Sequence, residues 1–235
     1  MTEGQDLDNT QETVTFTREE WRKRKRRATR DLRHAHAKGL LQGILSMLGP
    51  GDVVLDCGAN VGDICQPLAE TGAEVHAFEP DPFAFARLSE RVAGYDNVHL
   101  HNAAVGPESG TIKLMRAANF DDNPTGGSVK STVIPGGRNI NEAQCDSIDV
   151  ELLSLPDFIG DLTRDGRTVV FLKMDIEGAE IEILERLLDT GLHRKIALIF
   201  VETHERFSRD CAWRTAKIRS RIHANGLANF NLNHR

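Results

Sequence analysis

The chain has 235 residues, of which 40% are hydrophobic and 27% are charged, and its net charge at pH 7 is −6. This length and composition fit one medium-sized domain with an extension, and they exclude an intrinsically disordered chain. No apolar run approaches the roughly 20 residues that are needed to span a bilayer. The polar, acidic N-terminus lacks the apolar stretch of a secretory signal, so we expect a cytoplasmic protein that does not bind membranes.

The four cysteines have no spacing that indicates a metal site. They are Cys57, Cys65, Cys145 and Cys211, and they form neither a Cys-x-x-Cys pair nor a zinc-finger pattern. We therefore expect reduced thiols and no structural metal.

Charge is distributed unevenly along the chain. Residues 17–38 carry ten Lys or Arg against three Asp or Glu, a local charge of +7, and the other residues together carry −13. A basic block of this kind is an interaction surface in some proteins and a solvated helix face in others. We divide the chain here into a disordered tail with a basic helical arm, residues 1–38, and a domain of residues 39–235.

The predicted elements begin with one or two helices in the basic arm and the apolar stretch after it. Thr17, followed by Glu20 three residues later, makes a capping box at the start. An apolar stripe at nearly helical spacing follows, and residues 49–51, Gly-Pro-Gly, end it.

Short apolar strands then alternate with helices. Strands are predicted at "DVVLD", "AEVHAFEP", "VHLHNAAVG", "RTVVFLKMD", "KIALIFVET" and "LANFNLN". Helices are predicted from Gly62 to Thr71, in "FAFARLSERVAG" after the capping residue Asp81, in "EGAEIEILERLLDTG" and in "SRDCAWRTAKIRSRIHANG". This alternation indicates parallel pairing with right-handed crossovers, so we predict an α/β fold with a doubly wound, mostly parallel, Rossmann-like sheet.

One segment between the third and fourth strands interrupts the alternation. "TIKLMRA" and "DSIDVELLSL" predict the two strands of an added hairpin, and residues 118–145 between them are rich in Gly, Asn, Pro and Ser. A loop of this length is typical of a lid, a binding loop or a disordered segment. We place acceptor specificity in this loop.

The stretch "VVLDCGANVGD" lies at a strand end, which is where ligands bind in doubly wound sheets. It offers Asp56 at the strand tip and then Gly58, Asn60 and Gly62. A dinucleotide site prefers G-x-G-x-x-G, and a carboxylate at the tip repels a pyrophosphate. The carboxylate at the tip tolerates a cofactor that carries an ammonium and a sulfonium group, and the cofactor's own carboxylate can face the helix N-terminus. These properties favour S-adenosylmethionine. A strand-to-helix turn that merely needs glycine is the alternative.

The ends of the second and third strands offer groups that suit a nucleoside. Glu79 follows the glycines by about 20 residues, the spacing at which an acidic residue binds ribose hydroxyls. Because NAD and S-adenosylmethionine both contain ribose, Glu79 does not distinguish between them. Asn102 and Ala103 lie where an adenine edge is recognised, and an ordinary turn asparagine is the alternative there.

The ends of the fourth and fifth strands supply candidate catalytic groups. Asp175 is at the fourth tip with Glu177 just beyond it, and a carboxylate there takes a proton from a hydroxyl that attacks a methyl group. Capping of the next helix is the other role open to Asp175. His204 is the second candidate base, since histidine titrates near neutral pH. These groups with Glu202 have oxygen and nitrogen ligands for a cation, but their spacing matches no metal motif, and we assign no metal.

The motifs "VVLDCGANVGD", "AFEPDP", "NAAVG", "LKMDIEGAE" and "VETHE", in this order, resemble the FkbM family of S-adenosylmethionine-dependent methyltransferases over roughly residues 50–205. The resemblance implies the class I methyltransferase fold and methylation of hydroxyl groups on sugars, polyketides and related metabolites. That sheet usually ends in an antiparallel pair, so we expect the last strand to be missing or supplied by a neighbouring subunit. The resemblance implies a methionine end lined by Asp56, Gly58, Asn60 and Gly62, a ribose held by Glu79, and a reaction centre at Asp175 and Glu177.

We therefore expect an O-methyltransferase that acts on a hydroxyl of a small molecule or glycan. One alternative is a nucleic-acid methyltransferase guided by the basic arm, but the acidic body and the lack of an Asn-Pro-Pro-Tyr motif argue against it. A second is an NAD(P)-dependent oxidoreductase, against which Asp56 and Asn60 argue. A non-catalytic binding module is a third, and a homo-oligomer is compatible with the sequence.

Overall fold

The computed structural model describes residues 16–115, 147–176 and 178–232, and the chain forms two compact units, residues 1–40 and 41–235. Helix α1, Arg18–Leu45, is a single helix, which decides between the one or two helices that were expected. Its start is the predicted capping box, because Thr17 N donates to Glu20 Oε2 at 2.8 Å and Glu20 N donates to Thr17 Oγ1 at 3.2 Å. Residues 1–15, most of the tail that was expected to be disordered, lie outside the described residues.

Six parallel strands form the main sheet, which confirms the predicted fold class. They are β1 (Val53–Cys57), β2 (Glu74–Phe78), β3 (Val98–His101), β7 (Val169–Met174), β8 (Ile196–Val201) and β9 (Phe230–Asn231). Their order is β3-β2-β1-β7-β8-β9, and every neighbouring pair is parallel. The strand order reverses between β1 and β7, so this is the switch point at which such sheets bind ligands.

Within residues 16–115, 147–176 and 178–232, five further helices connect these strands. They are α2 (Cys65–Glu70), α3 (Pro82–Val92), α4 (Leu155–Leu162), α5 (Glu180–Thr190) and α6 (Arg209–Ala224), with short 3-10 helices at Leu192–Lys195 and Glu205–Phe207. None of the helices in the described ranges is long and apolar enough to cross a membrane.

A second sheet of three strands contains the predicted hairpin. Its strands are β4 (Ala104–Gly106), β5 (Gly110–Met115) and β6 (Ser147–Ser154), in the order β4-β6-β5. β5 and β6 are antiparallel, as the hairpin prediction requires, and β4 pairs with β6 in parallel. Residues 116–146, which contain the expected specificity loop, lie outside the described residues.

Three local predictions were wrong. "VHLHNAAVG" is not one strand, because the chain leaves the main sheet after β3 and its second half, β4, joins the other sheet. The helix expected from Gly62 begins at Cys65, since Asn60 and Gly62 have φ angles of 48° and 88°, which no right-handed helix contains. Helix α4 was not expected; Ser154 caps it by accepting a hydrogen bond from Asp157 N at 3.2 Å.

The core lies between the main sheet and its helices. Helix α5 buries Ile183, Leu184 and Leu187, which follow helical spacing, against Leu172 of the central strand β7. All four side chains are inaccessible to solvent, so this face of α5 is part of the core.

We expect Leu184→Ala to lower the free energy of unfolding by about 2–5 kcal/mol, because it removes buried methyl groups and leaves a cavity. The matched control is Leu32→Ala, whose side chain is 72% exposed and whose loss is expected to change stability by less than about 0.5 kcal/mol. Urea denaturation of both variants measures the difference. Equal losses in the two variants would contradict this account of the core.

Candidate active site

The carboxyl ends of three adjacent strands, β2, β1 and β7, are tied together by backbone hydrogen bonds. Asp175 N at the tip of β7 donates to Cys57 O of β1 at 3.1 Å, and Gly58 N donates to Phe78 O of β2 at 3.0 Å. Glu79 and Asp175 directly follow the ends of β2 and β7, and Asp56 lies one residue before the end of β1, opposite Ala77 and Lys173. Three acidic side chains therefore lie near this edge of the sheet.

Asp56 is completely buried and forms an ion pair with Lys173, its cross-strand neighbour on β7, with Lys173 Nζ 3.2 Å from Asp56 Oδ1. Within the described residues, neither carboxylate oxygen receives a hydrogen bond of normal geometry. Burial alone would lower the pKa of Lys173, but the nearby carboxylates of Asp56 and Asp175 outweigh it and raise that pKa. Lys173 is thus charged, and its Nζ also donates to Gly58 O at 2.7 Å.

The two glycines of the turn after β1 are required by contacts within the protein. Gly58 has a φ of 78°, and a Cβ there would lie 1.9 Å from Asp175 O. Gly62 has a φ of 88°, and its Cβ would lie 2.9 Å from Leu88 Cδ1. The backbone contact at Gly58 and the positive φ at both positions explain these glycines, as the alternative of a turn that needs glycine predicts.

Glu79 is the acceptor that shapes the nucleoside end of the candidate site. Its Oε1 accepts a hydrogen bond from Asp81 N at 2.8 Å, and its Oε2 accepts one from Asn60 N at 2.9 Å. The carboxyl group is buried, and this burial raises its pKa to about 7. Glu79 therefore joins the turn after β1 to the turn after β2.

Asn102 and Ala103 differ in solvent exposure. Asn102 is exposed, and its Nδ2 donates to Glu79 O at 2.8 Å, so the side chain fastens the end of β3 to the tip of β2. Ala103 is buried. The structure thus brings Asn60, Glu79 and Asn102 together, with Ala103 behind them.

The reaction-centre candidates form a chain of three side chains. His204 is 1% exposed and lies between two carboxylates: its Nδ1 is 3.0 Å from Glu180 Oε1, and its Nε2 is 4.0 Å from Asp175 Oδ1. Glu180 is fully buried and also accepts hydrogen bonds from His204 N at 2.7 Å and from Gly178 N at 2.8 Å. Because Glu180 accepts from Nδ1, it fixes the imidazole ring so that Nε2 faces Asp175. Asp175 is 36% exposed, so it is the member that a substrate can reach.

Sequence reasoning missed Lys173 and Glu180. Lys173 is a charged residue within an apolar strand, which indicates a buried partner. Glu180 precedes Ile183, Leu184 and Leu187 by three, four and seven residues, so it lies on the same buried face of α5. Glu177, the other expected catalytic carboxylate, lies outside the described residues.

Two buried thiols lie beside the turn. Cys57 ends β1 and Cys65 begins α2, and both are free and completely buried. Burial, with the Asp56 carboxylate nearby, raises the pKa of Cys57 far above its ordinary value and that of Cys65 to about 12. Both are therefore neutral thiols at physiological pH.

One family model and several curated proteins match this chain. The methyltransferase FkbM domain model matches residues 56–227. The 31-O-demethyl-FK506 methyltransferase FkbM of Streptomyces tacrolimicus is 29% identical over 182 residues, which are 67% of each chain. The 2-O-methyltransferase NoeI of Sinorhizobium fredii is 26% identical over 148 residues, 60% of each chain. The ribosomal RNA small subunit methyltransferase A of Thermotoga maritima is 45% identical, but over only 53 residues, 23% of this chain and 19% of that one. The chain thus spans about two thirds or less of the length of these curated relatives.

The buried carboxyl group of Glu79 predicts a pH-dependent stability. Its pKa rises from an ordinary value of 4.5 to about 7 on folding, so between these values the folded protein binds more protons than the unfolded chain. The stability that this group contributes is therefore present below about pH 5 and is lost as the pH rises to about 7, by on the order of 3 kcal/mol.

The variant Glu79→Gln stays neutral and lacks this contribution. We expect the difference in unfolding free energy between wild type and variant to shift in favour of the variant as the pH rises from about 5 to about 8. Urea titrations of both proteins across this range measure it. Parallel stability profiles would show that Glu79 has an ordinary pKa in the folded state.

Proposed function

The chain belongs to the FkbM methyltransferase family, and we propose that it transfers the methyl group of S-adenosylmethionine to a hydroxyl group of a small molecule or glycan. Two of the relatives are named as methyltransferases that act at oxygen, which supports this acceptor chemistry. The observation that carries the proposal is the chain Asp175–His204–Glu180 at the tip of β7, because it places an accessible base next to the switch point.

The side chains at the strand tips fit a cationic nucleoside cofactor. Among the described residues of the site, the carboxylates of Asp56 and Asp175 outnumber the cation Lys173, and Glu79 adds negative charge as the pH rises past about 7. The site therefore favours a ligand with an ammonium and a sulfonium and opposes a pyrophosphate. Glu79, with one N–H donor on each oxygen, has lone pairs left to accept from ribose hydroxyls. When bound, S-adenosylmethionine would supply an electrophilic methyl group. The same charges argue against the NAD(P)-dependent alternative.

Asp175 is the group that we assign to take the proton from the acceptor hydroxyl. The Asp175 carboxylate takes the proton of the acceptor O–H as that oxygen bonds to the methyl group, whose bond to the sulfonium sulfur would break and leave a neutral thioether. His204 Nε2 lies 4.0 Å behind it, so a small movement of either side chain brings the two within hydrogen-bond distance and lets the imidazole share the proton. Glu180 stabilises the imidazolium that this produces, since it already accepts from Nδ1. The proton leaves to solvent after product release.

We also propose a cytoplasmic location and an acceptor that contacts the segment between β5 and β6. The described cysteines are free thiols, which fits the reducing cytoplasm that we expect. Acceptor specificity is still assigned to residues 118–145, and a homo-oligomer stays compatible with the sequence. The nucleic-acid alternative is supported by the basic arm, and the ribosomal RNA methyltransferase match that would add to it covers less than a quarter of this chain.

The cofactor assignment predicts binding of S-adenosylmethionine or S-adenosylhomocysteine and no binding of NAD. We expect Glu79→Ala to weaken cofactor binding by roughly 1–3 kcal/mol, because ribose hydroxyls then lose a buried acceptor. Titration calorimetry measures both, with Glu90→Ala on the exposed face of α3 as a control that should bind normally. Binding of NAD instead of S-adenosylmethionine would overturn the assignment.

The base assignment predicts that Asp175→Asn cuts turnover by about two orders of magnitude or more, because it keeps the side chain's shape and removes the proton acceptor. Fold and cofactor affinity should stay nearly unchanged. Single-turnover rates with a panel of sugars and polyketide-like alcohols test this, with Asp161→Asn, an exposed residue of α4, as the matched control. His204→Gln should lower the rate less if His204 only shares the proton. Full activity of Asp175→Asn would remove Asp175 from the mechanism.

A further inference from the structure

A cluster of histidines lies on one face of the edge of the main sheet, away from the strand tips. His76 of β2 pairs in register with His99 of β3, and because side chains alternate along a strand, Glu74 and His101 share that face. The rings of His76 and His99 are stacked with their centroids 4.8 Å apart. None of these four residues has a role in the proposed methyl transfer.

One ligand atom from each of Glu74, His76 and His99 lies within 4.8 Å of the other two. Ligands of a tetrahedral zinc ion are roughly 3.4 Å apart, so the atoms need to approach each other only slightly. His99 is exposed, so solvent rather than packed side chains borders its ring and leaves room for it to rotate toward the other two ligands. Two imidazoles and one carboxylate, with the fourth position open to water, are a donor set that suits a borderline metal ion.

We propose that Glu74, His76 and His99 bind a divalent transition-metal ion of the zinc class. The three ligands are not the strand-tip groups that the sequence suggested as cation ligands. A metal here would also contradict the expectation that the protein has no structural metal. Imidazole ligands favour Zn²⁺ over Mg²⁺, which prefers oxygen.

Neighbouring side chains already support the three ligands. His76 Nδ1 is 3.3 Å from His101 Nε2, which orients the ring so that His76 Nε2 faces Glu74 Oε1 at 2.9 Å. Arg167 Nη1 donates to the other carboxylate oxygen, Glu74 Oε2, at 3.2 Å, so Oε1 is the oxygen turned toward the histidines. Such partners behind the ligands are typical of metal sites, where they fix the orientation of the imidazole and carboxylate groups.

An ion at this position would fasten the edge strand β3 to β2. The same strand ends at His101, whose carbonyl oxygen accepts from Glu79 N at 3.0 Å. The metal would therefore stabilise the strand pair that carries the nucleoside end of the candidate site, although it lies outside the reaction centre.

The full chain is first treated with a chelator and dialysed to remove bound metal. Titration calorimetry with ZnCl₂, and with MgCl₂ for comparison, then measures metal binding. We expect one Zn²⁺ per chain, weaker or no Mg²⁺ binding, and a loss of about tenfold or more in zinc affinity for His99→Gln. Glu74→Gln should show a similar loss. The matched control His223→Gln, at an exposed histidine of α6, should bind zinc within about twofold of wild type.

Cobalt spectroscopy separates this site from the cysteines and from histidines elsewhere. Co²⁺ bound to the cluster should show no thiolate charge-transfer band, and its visible spectrum should change in His99→Gln. A thiolate band, a zinc affinity that His99→Gln and Glu74→Gln leave unchanged, or no zinc binding would each overturn the proposal.

Discussion

The buried ion pair between Asp56 and Lys173 is the interaction on which the strand-tip site depends. It crosses the switch point from β1 to β7, and Lys173 also holds the carbonyl of Gly58, the first residue of the turn. Loss of one partner would leave an unpaired buried charge, which typically costs about 3–5 kcal/mol. Two apolar side chains would join the strands equally well, so the charges are better explained by what they position: the turn, and a carboxylate at the cofactor end.

A second buried carboxylate, Glu180, organises the other half of the site. It accepts three N–H groups from two different connections, the one after β7 and the one after β8. The loops that follow these two strands are therefore held to each other by one side chain. We propose that Asp56 positions the cofactor half of the site and Glu180 the catalytic half, with Asp175 between them.

Most of the main sheet could be predicted because its strands are short apolar runs that end at Asp, Glu or Gly, and such local patterns are visible in the sequence. Some errors arose where long-range contacts decide the outcome, since the split of the third strand accompanies a bond from Asn102 to a carbonyl 23 residues away. Helix α4 was missed for a local reason, because it follows from a single capping serine within an apolar stretch. Glu180 was missed because its partner, His204, is 24 residues away and only the fold shows that the two meet.

The buried thiols of Cys57 and Cys65 have a consequence for a protein that handles an alkylating cofactor. A sulfonium donor methylates sulfur nucleophiles as well as oxygen, and the reactive form of cysteine is the thiolate. Cys57 is the residue immediately before the glycine turn, yet burial and the adjacent Asp56 keep both sulfur atoms protonated and shielded from solvent. Under the proposed function, the anionic, desolvated strand end that favours a positively charged donor would therefore also protect the protein from methylating itself.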